Sequence, residues 1–467
     1  MHSSKQFLLS LFLLFSCTAS AQLEGKWYAS FAIMGNSILV EMDVEKEGDE
    51  TRIFLTDPEG KFTRKKMTTA AATDRSLSFR WADIDLSYQG DYVPSTQTIV
   101  GKMTQRDVKW EVTFQRNPTE KIAINRPQEP DLTSTDLPFT SEQLMVTNGE
   151  VVLHGELTKP HTFTKRTPIV VLVSGSGPQN RNSELMGHKP FLVIAHFLAK
   201  EGIACLRFDD RGVGESTGDY SKATLDDFAS DVEAWVEELS VRYAKNSIGI
   251  AGHSEGGVHA LIAASRNKNI DFIVELASIG TSGREVLVEQ QYLIPKKEGE
   301  PESTCVWNQS VFSGMCDIID SLDQKAAAKA LTDFLGAKYD EAPEKYKQET
   351  NRFTFVIGNA NFMNSQWGRE FVRFKASDYL PKISVPLLVL NGSEDIQVPP
   401  VSNQNGFKQS FSKKSKKKSR IELVPGVNHL FQTCETCMVT EYDDLEETFS
   451  PAALQIITEW INGLKCL

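Results

Sequence analysis

The segment Gly252-His253-Ser254-Glu255-Gly256-Gly257 narrows most sharply what this chain can become. It directly follows the apolar run Ser247 to Ala251, which reads as a strand, and directly precedes Gly256 to Ser265, which reads as a helix. A strand that turns into a helix within one residue leaves that residue in a strained backbone conformation. Its neighbours two positions away must then be small, and glycine stands at both, as Gly252 and Gly256. Such a turn lifts the Ser254 hydroxyl above the end of a strand. It also places it at a helix N-terminus, where developing negative charge is favoured.

A serine hydroxyl at neutral pH needs a base, and the base needs a group to orient it. On a turn of this kind the acid and then the histidine follow the serine along the chain. The strand run Pro386 to Leu390 is followed by Asn391-Gly392-Ser393-Glu394-Asp395, which makes Asp395 the candidate acid and Glu394 its alternative. The strand run Ile421 to Val424 is followed by Pro425-Gly426-Val427-Asn428-His429. His154, His161, His188 and His196 precede Ser254, and His253 and His259 belong to the turn and its helix, so His429 is the candidate base. Two backbone N–H groups should hold the developing oxyanion. One is that of Glu255; the other, by position, is that of Ser176 in Ser174-Gly175-Ser176-Gly177-Pro178, the loop after the apolar strand Ile169 to Val173. No Gly-Lys-Ser/Thr follows that loop, so it is not a phosphate cradle.

Around these segments the pattern alternates strand and helix, which predicts a mostly parallel sheet of about eight strands. Pro190 to Lys200, Leu225 to Leu239 and Pro451 to Leu464 have helical spacing, and Gly202 to Phe208 and Phe272 to Ala277 read as strands. Thr281 to Leu380 interrupts the alternation with helical segments such as Leu322 to Leu335, and is expected to form a cap inserted at the sheet edge. Trp307, Phe353, Phe355 and Trp367 in it should mostly form the cap's own core, with an acyl pocket as the alternative. Before all this, residues 22–117 alternate with period two, as in Leu77-Ser78-Phe79-Arg80-Trp81, and predict a small antiparallel barrel or sandwich. Residues 118–138, rich in Pro, Thr, Asp and Glu, read as a linker, leaving 139–467 as the catalytic domain.

Residues 1–21 combine Lys5, the apolar run Phe7 to Phe15 and Ala19-Ser20-Ala21, the pattern of a signal peptide cleaved before Gln22. The expected location is therefore exported, periplasmic or secreted, with lipid anchoring through Cys17 as the alternative. No stretch is long and apolar enough to read as a membrane span. A composition 40% hydrophobic and 24% charged excludes a disordered chain, and a net charge of −12 disfavours nucleic-acid binding. Lys413 to Arg420 is a charge run that reads as a solvated face. Export makes a bridge between Cys305 and Cys316 plausible, and Cys434 with Cys437 could form a local one just past His429. No metal or cofactor is expected, since the CxxC pair lacks two further ligands.

With these segments in place the chain from about Phe139 to Leu467 resembles the α/β-hydrolase superfamily. More narrowly, it resembles secreted bacterial serine esterases with an N-terminal β domain, related to dienelactone hydrolases and prolyl-oligopeptidase-like enzymes. The segments that carry the resemblance include Gly175 to Asn182, Asp209-Asp210-Arg211-Gly212-Val213-Gly214-Glu215-Ser216, the Ser254 turn, Gly392 to Pro399 and Gly426 to His429. The usual His-Gly ahead of the oxyanion residue is Ser174-Gly175 here. The Asp210-Arg211-Gly212 turn is expected to be a brace. The resemblance implies a cleaved carboxylic ester, a small-molecule substrate, with a serine peptidase or amidase as the alternative; a peptidase of that group would bring a propeller, for which residues 22–117 are too few.

Overall fold

A computed structural model describes residues 23–464 other than 34–35, 49, 58–63, 106–107 and 118–125. The expected signal peptide and the first part of the linker lie outside the described residues. The chain divides into two compact units, Met1–Ala123 and Ile124–Leu467.

The first unit is built from β1 (Gly25–Ile33), β2 (Asn36–Glu47), β3 (Glu50–Thr56), β4 (Lys65–Lys66), β5 (Thr69–Ala72), β6 (Ser76–Trp81), β7 (Leu86–Val93), β8 (Thr98–Gln105) and β9 (Val108–Gln115). They form one antiparallel sheet in the order β4-β3-β2-β1-β9-β8-β7-β6-β5, not two sheets in a sandwich. Alternation produces its single apolar face: Leu86, Tyr88 and Tyr92 on β7 are buried while Gln89 and Asp91 are exposed. The sheet's two ends, β4 and β5, are only two residues apart in sequence, so it must roll. Met67 N donates to Ile53 O at 2.9 Å and Thr68 N to Arg80 O at 2.7 Å, so one short segment joins both edges.

In the second unit β10 (Phe139–Asn148) and β11 (Val151–Pro160) form a hairpin, followed by β12 (Ile169–Val173), α1 (Pro190–Lys200), β13 (Ala204–Phe208), α2 (Leu225–Arg242), β14 (Ile248–His253), α3 (Glu255–Ala264) and β15 (Phe272–Leu276). A helical stretch then intervenes: α4 (Gly283–Lys297), α5 (Glu302–Ser321), α6 (Gln324–Asp340), α7 (Glu344–Glu349), α8 (Arg352–Asn364) and α9 (Gln366–Arg373). The sheet resumes with β16 (Leu387–Gly392), and α10 (Pro400–Ser410), α11 (Lys413–Lys416), β17 (Arg420–Val424) and α12 (Pro451–Leu464) complete the unit. The mixed sheet has the order β10-β11-β13-β12-β14-β15-β16-β17. β11 pairs antiparallel with β13, and every pairing from β13 to β17 is parallel. All five residues of β12 are buried, as a strand covered by helices on both faces requires. Among the described residues no helix is long and apolar enough to cross a membrane.

Two expectations for the insertion are corrected. Helix does not run through Leu322: α5 ends at Ser321, and α6 restarts behind Asp323, whose side chain accepts from Ala326 N. Cys305 and Cys316 are buried free thiols. Both lie on α5, where eleven residues of helix separate them by roughly 16 Å, far beyond the ~7 Å a disulfide spans between Cα atoms.

Glu275 on β15 is fully buried in this core, where only the hydroxyl of Ser278 works against its desolvation. Burial pushes its pKa up to about 8, whereas in the unfolded chain a glutamate titrates near ~4.3. Between those values the folded state keeps a proton that the unfolded state has lost. Stability therefore falls as pH rises through the window, by at most about 1.4 kcal/mol per pH unit. Glu275→Gln should remove that slope, so that urea unfolding finds the variant more stable than the parent near pH ~8 and similar near pH ~4.5. Equal stability at both would mean that Glu275 does not carry the proton.

Candidate active site

Ser254 stands between β14 and α3 with φ 55° and ψ −121°, a region a residue with a side chain occupies only under constraint. The constraint is close packing. A β-carbon on Gly252 would lie 2.5 Å from Gly256 C and Gly257 N, and one on Gly256 would lie 2.5 Å from Ser174 O and closer still to Val173 O. Ser254 N donates to Leu276 O at 2.8 Å, tying the turn to the end of β15. Gly175 comes up beside the turn: a β-carbon there would be 3.2 Å from Ser254 Cβ. The loop 174–177 and the serine are thus brought together, as the sequence motifs anticipate.

Asp395 and His429 meet on the loops after β16 and β17. His429 Nδ1 is 2.9 Å from Asp395 Oδ2. The other oxygen, Oδ1, accepts from Gln397 N at 2.9 Å and Val398 N at 2.8 Å, so the buried carboxylate is filled and aimed. Glu394, the alternative acid, instead lies 3.7 Å from Lys297 on α4. The His429 loop is shaped by buried Asn428, whose Oδ1 accepts from Leu430 N and Gln432 N, both at 3.0 Å. His253, next to Ser254, packs its ring 4.9 Å from that of His429 and donates from Nε2 to His429 O at 3.0 Å. Burial, and then the neighbouring His429, lower the His253 pKa to about 3, so it stays neutral. Cys434 and Cys437 are bridged, clamping the chain just beyond His429.

The side chain of Glu255 points inward and is almost completely buried. Its Oε2 accepts from Ser176 Oγ at 2.5 Å and its Oε1 from Trp367 Nε1 at 2.7 Å, with His259 Nε2 3.5 Å away. Burial alone would raise its pKa, but His259, Ser176 and Trp367 together hold it below the ordinary carboxylate value. Trp367 stands apart from the other cap aromatics singled out in the sequence. Trp307 stacks on Phe355, 5.7 Å between ring centres, inside the cap, and Phe353 is 55% exposed and lies outside the cap's buried core. No sequence spacing distinguishes Trp367 from them; the available clue was an acid directly after the serine, in need of donors.

The Asp210-Arg211-Gly212 turn forms a network behind the site. Asp210 accepts from Ser174 Oγ at 2.8 Å and Gln179 N at 2.9 Å, and Arg211 donates to both oxygens of Asp231 on α2, at 2.7 and 2.8 Å. Burial pushes Asp210 up to about 7. The turn therefore holds the 174–179 loop from behind. Among the described residues no group of three or more His, Cys, Asp or Glu could hold a metal ion.

A model of the family described as X-Pro dipeptidyl-peptidase (S15 family) matches residues 148–427, a span that contains Ser176, Ser254 and Asp395. Among curated proteins, Esterase EstD of Thermotoga maritima is 30% identical over 149 residues, covering 32% of this chain and 35% of that protein. The bifunctional esterase/perhydrolase DCH of Acinetobacter calcoaceticus is 27% identical over 256 residues, covering 51% of this chain and 79% of the relative. The match to the first thus spans only about a third of its length. A solved dienelactone hydrolase from Anabaena variabilis is 16% identical, with 70% of this chain and 98% of that one covered at a TM-score of 0.39.

The packing around the turn has a direct test. Gly256→Ala forces its new methyl against the backbone carbonyls of Val173 and Ser174, so α3 must move away from the 174–177 loop. The variant should lose about 1–3 kcal/mol in chemical denaturation. A loss below about 0.5 kcal/mol, the range of an ordinary surface change, would show that the helix and the loop are not in tight contact.

Proposed function

The chain belongs to the X-Pro dipeptidyl-peptidase (S15) family, and from that premise we propose that it is a carboxylic ester hydrolase acting through an acyl-enzyme. The observation that carries the reading is the buried Asp395–His429 pair, with its carboxylate filled on one side and the imidazole held on the other. In this reading Ser254 Oγ attacks the acyl carbonyl and His429 Nε2 takes its proton, while Asp395 holds the ring through Nδ1 and stabilises the imidazolium. The backbone N–H groups of Ser176 and Glu255 receive the oxyanion. Collapse expels the alcohol, which takes the proton back from His429. Water then attacks the Ser254 ester as His429 accepts a proton from it, and collapse breaks the acyl–Oγ bond, with His429 returning that proton to Ser254 Oγ as the carboxylic acid leaves. The eight-stranded sheet serves as the mostly parallel core of the hydrolase fold, and α4 to α9 as its cap.

The family's name favours one second reading, a peptidase that removes a dipeptide ending in proline. Such an enzyme needs a carboxylate to capture the peptide's amine, and Glu255, the carboxylate adjacent to the serine, is already occupied by Ser176 and Trp367. Two curated relatives are named as esterases, which favours ester cleavage. We further read the protein as exported. The Cys434–Cys437 bridge supports this, since such bridges persist in oxidising compartments.

Turnover of p-nitrophenyl acetate or butyrate should exceed that of alanyl-prolyl-p-nitroanilide, and the reverse order would establish the peptidase. Ser254→Ala should stay folded and lose ester turnover by several orders of magnitude, because the three residues act as a unit. Retention of a tenth of the activity would show that the nucleophile is elsewhere.

The cap reaches the rim of the site at several points. Trp367 contacts Glu255, and on α4 Gln290 donates to Gln397 O at 2.5 Å, two residues past Asp395. We read it as a lid that limits acyl length. A series from acetate to palmitate esters should peak at short chains; a maximum at long chains, or no dependence on length, would mean an open cleft.

A further inference from the structure

Both backbone donors assigned to the oxyanion belong to residues whose side chains meet at one carboxylate. Glu255 supplies the first N–H, and its own Oε2 accepts from the hydroxyl of Ser176, the residue that supplies the second, at 2.5 Å. The other oxygen of the same carboxylate is held from outside the sheet domain, by the indole N–H of Trp367 at 2.7 Å. Trp367 lies on α9, the last helix of the insertion. We infer that Trp367 is a positioning residue for the oxyanion hole, and that seating of the cap and formation of the hole are one event, an inference that rests on the hydrolase reading above.

The geometry around the indole supports a fixed donor. Trp367 stacks on Phe371 at 4.9 Å between ring centres and packs on Phe362 at 5.2 Å, so the cap fixes its plane. The helix that carries it docks at a second point, where Glu370 Oε2 accepts from Leu225 N at the start of α2 at 2.8 Å. Glu255 has almost no access to water that could replace a lost donor. If α9 lifts, Oε1 keeps only His259 at 3.5 Å, too long for a good hydrogen bond. The carboxylate must then turn towards another donor, and its hold on Ser176 goes with it. Conversely, an acyl group that draws the cap down completes the hole around its own carbonyl. Binding energy from the substrate is thereby spent on the reacting geometry, and would appear in kcat.

The test separates positioning from packing. Trp367→Phe keeps a ring in the stack and deletes the N–H. Steady-state kinetics with p-nitrophenyl butyrate are paired with the Ki of an alkyl trifluoromethyl ketone. Ser254 Oγ adds to the carbonyl carbon of that ketone and passes its proton to His429, leaving an oxyanion for the hole. The expected result is a fall in kcat of about tenfold or more, KM within about twofold, and a Ki that rises in parallel with the loss of kcat/KM. A raised KM with unchanged kcat and Ki would make Trp367 a wall of the acyl pocket and overturn the inference, as would no change at all. Should Trp367→Phe fail to fold by circular dichroism, Ser176→Ala cuts the same link on the core side while keeping the backbone N–H, and must give the same pattern or the inference falls. Failure of the underlying reading looks different, since Ser254→Ala would then retain activity.

Discussion

The close approach of α3 to the loop after β12 is the constraint on which the rest of the second unit depends. With hydrogen in place of a side chain at Gly252 and Gly256, the turn at Ser254 can pass close under the carbonyls of Val173 and Ser174. That approach forces Ser254 to positive φ, and it also sets where the N–H groups of Glu255 and Ser176 lie relative to the hydroxyl. Backbone strain at one residue is thus exchanged for the alignment of three groups, and the parallel pairing of β12, β14 and β15 supplies the rigidity that maintains it.

Electrostatics builds on that frame by burying carboxylates in graded environments. Asp395 and Glu255 are each surrounded by donors, whereas Asp210 is pushed up by burial to about 7, and Glu275, with only the Ser278 hydroxyl against its desolvation, is pushed up to about 8. Glu255 is thus held low while Asp210 and Glu275 are pushed up, because their immediate donors differ.

What was legible in the sequence follows from how local the cause is. The run Ile169 to Val173 announces a strand buried on both faces because every position is apolar, and the Ser254 turn is marked by glycines that sterics demand at fixed offsets. That His429 would meet Asp395 could be read because few histidines compete with it. The illegible parts have distant causes. Whether α5 puts Cys305 and Cys316 out of reach of each other depends on helix continuing between them, which apolar spacing alone left open. Trp367 differs from Trp307 only in what its N–H meets, and that partner is 112 residues away in sequence. The rolling of the N-terminal sheet depends on residues 65–72, a short stretch of lysine, threonine and small residues around Met67 that carries no strand pattern.

That rolling has a consequence for how the protein behaves in a crowded solution. An open sheet of this size would present two rows of unpaired amides to any neighbouring chain, a template for edge-to-edge aggregation. Here the two edges are short, and Met67 and Thr68 in the segment joining them bond to β3 on one side and β6 on the other. One of the two edges also bears lysines, since β4 is Lys65–Lys66. Charge and closure together leave a foreign strand little edge to pair with, although the unit is rich in β-structure.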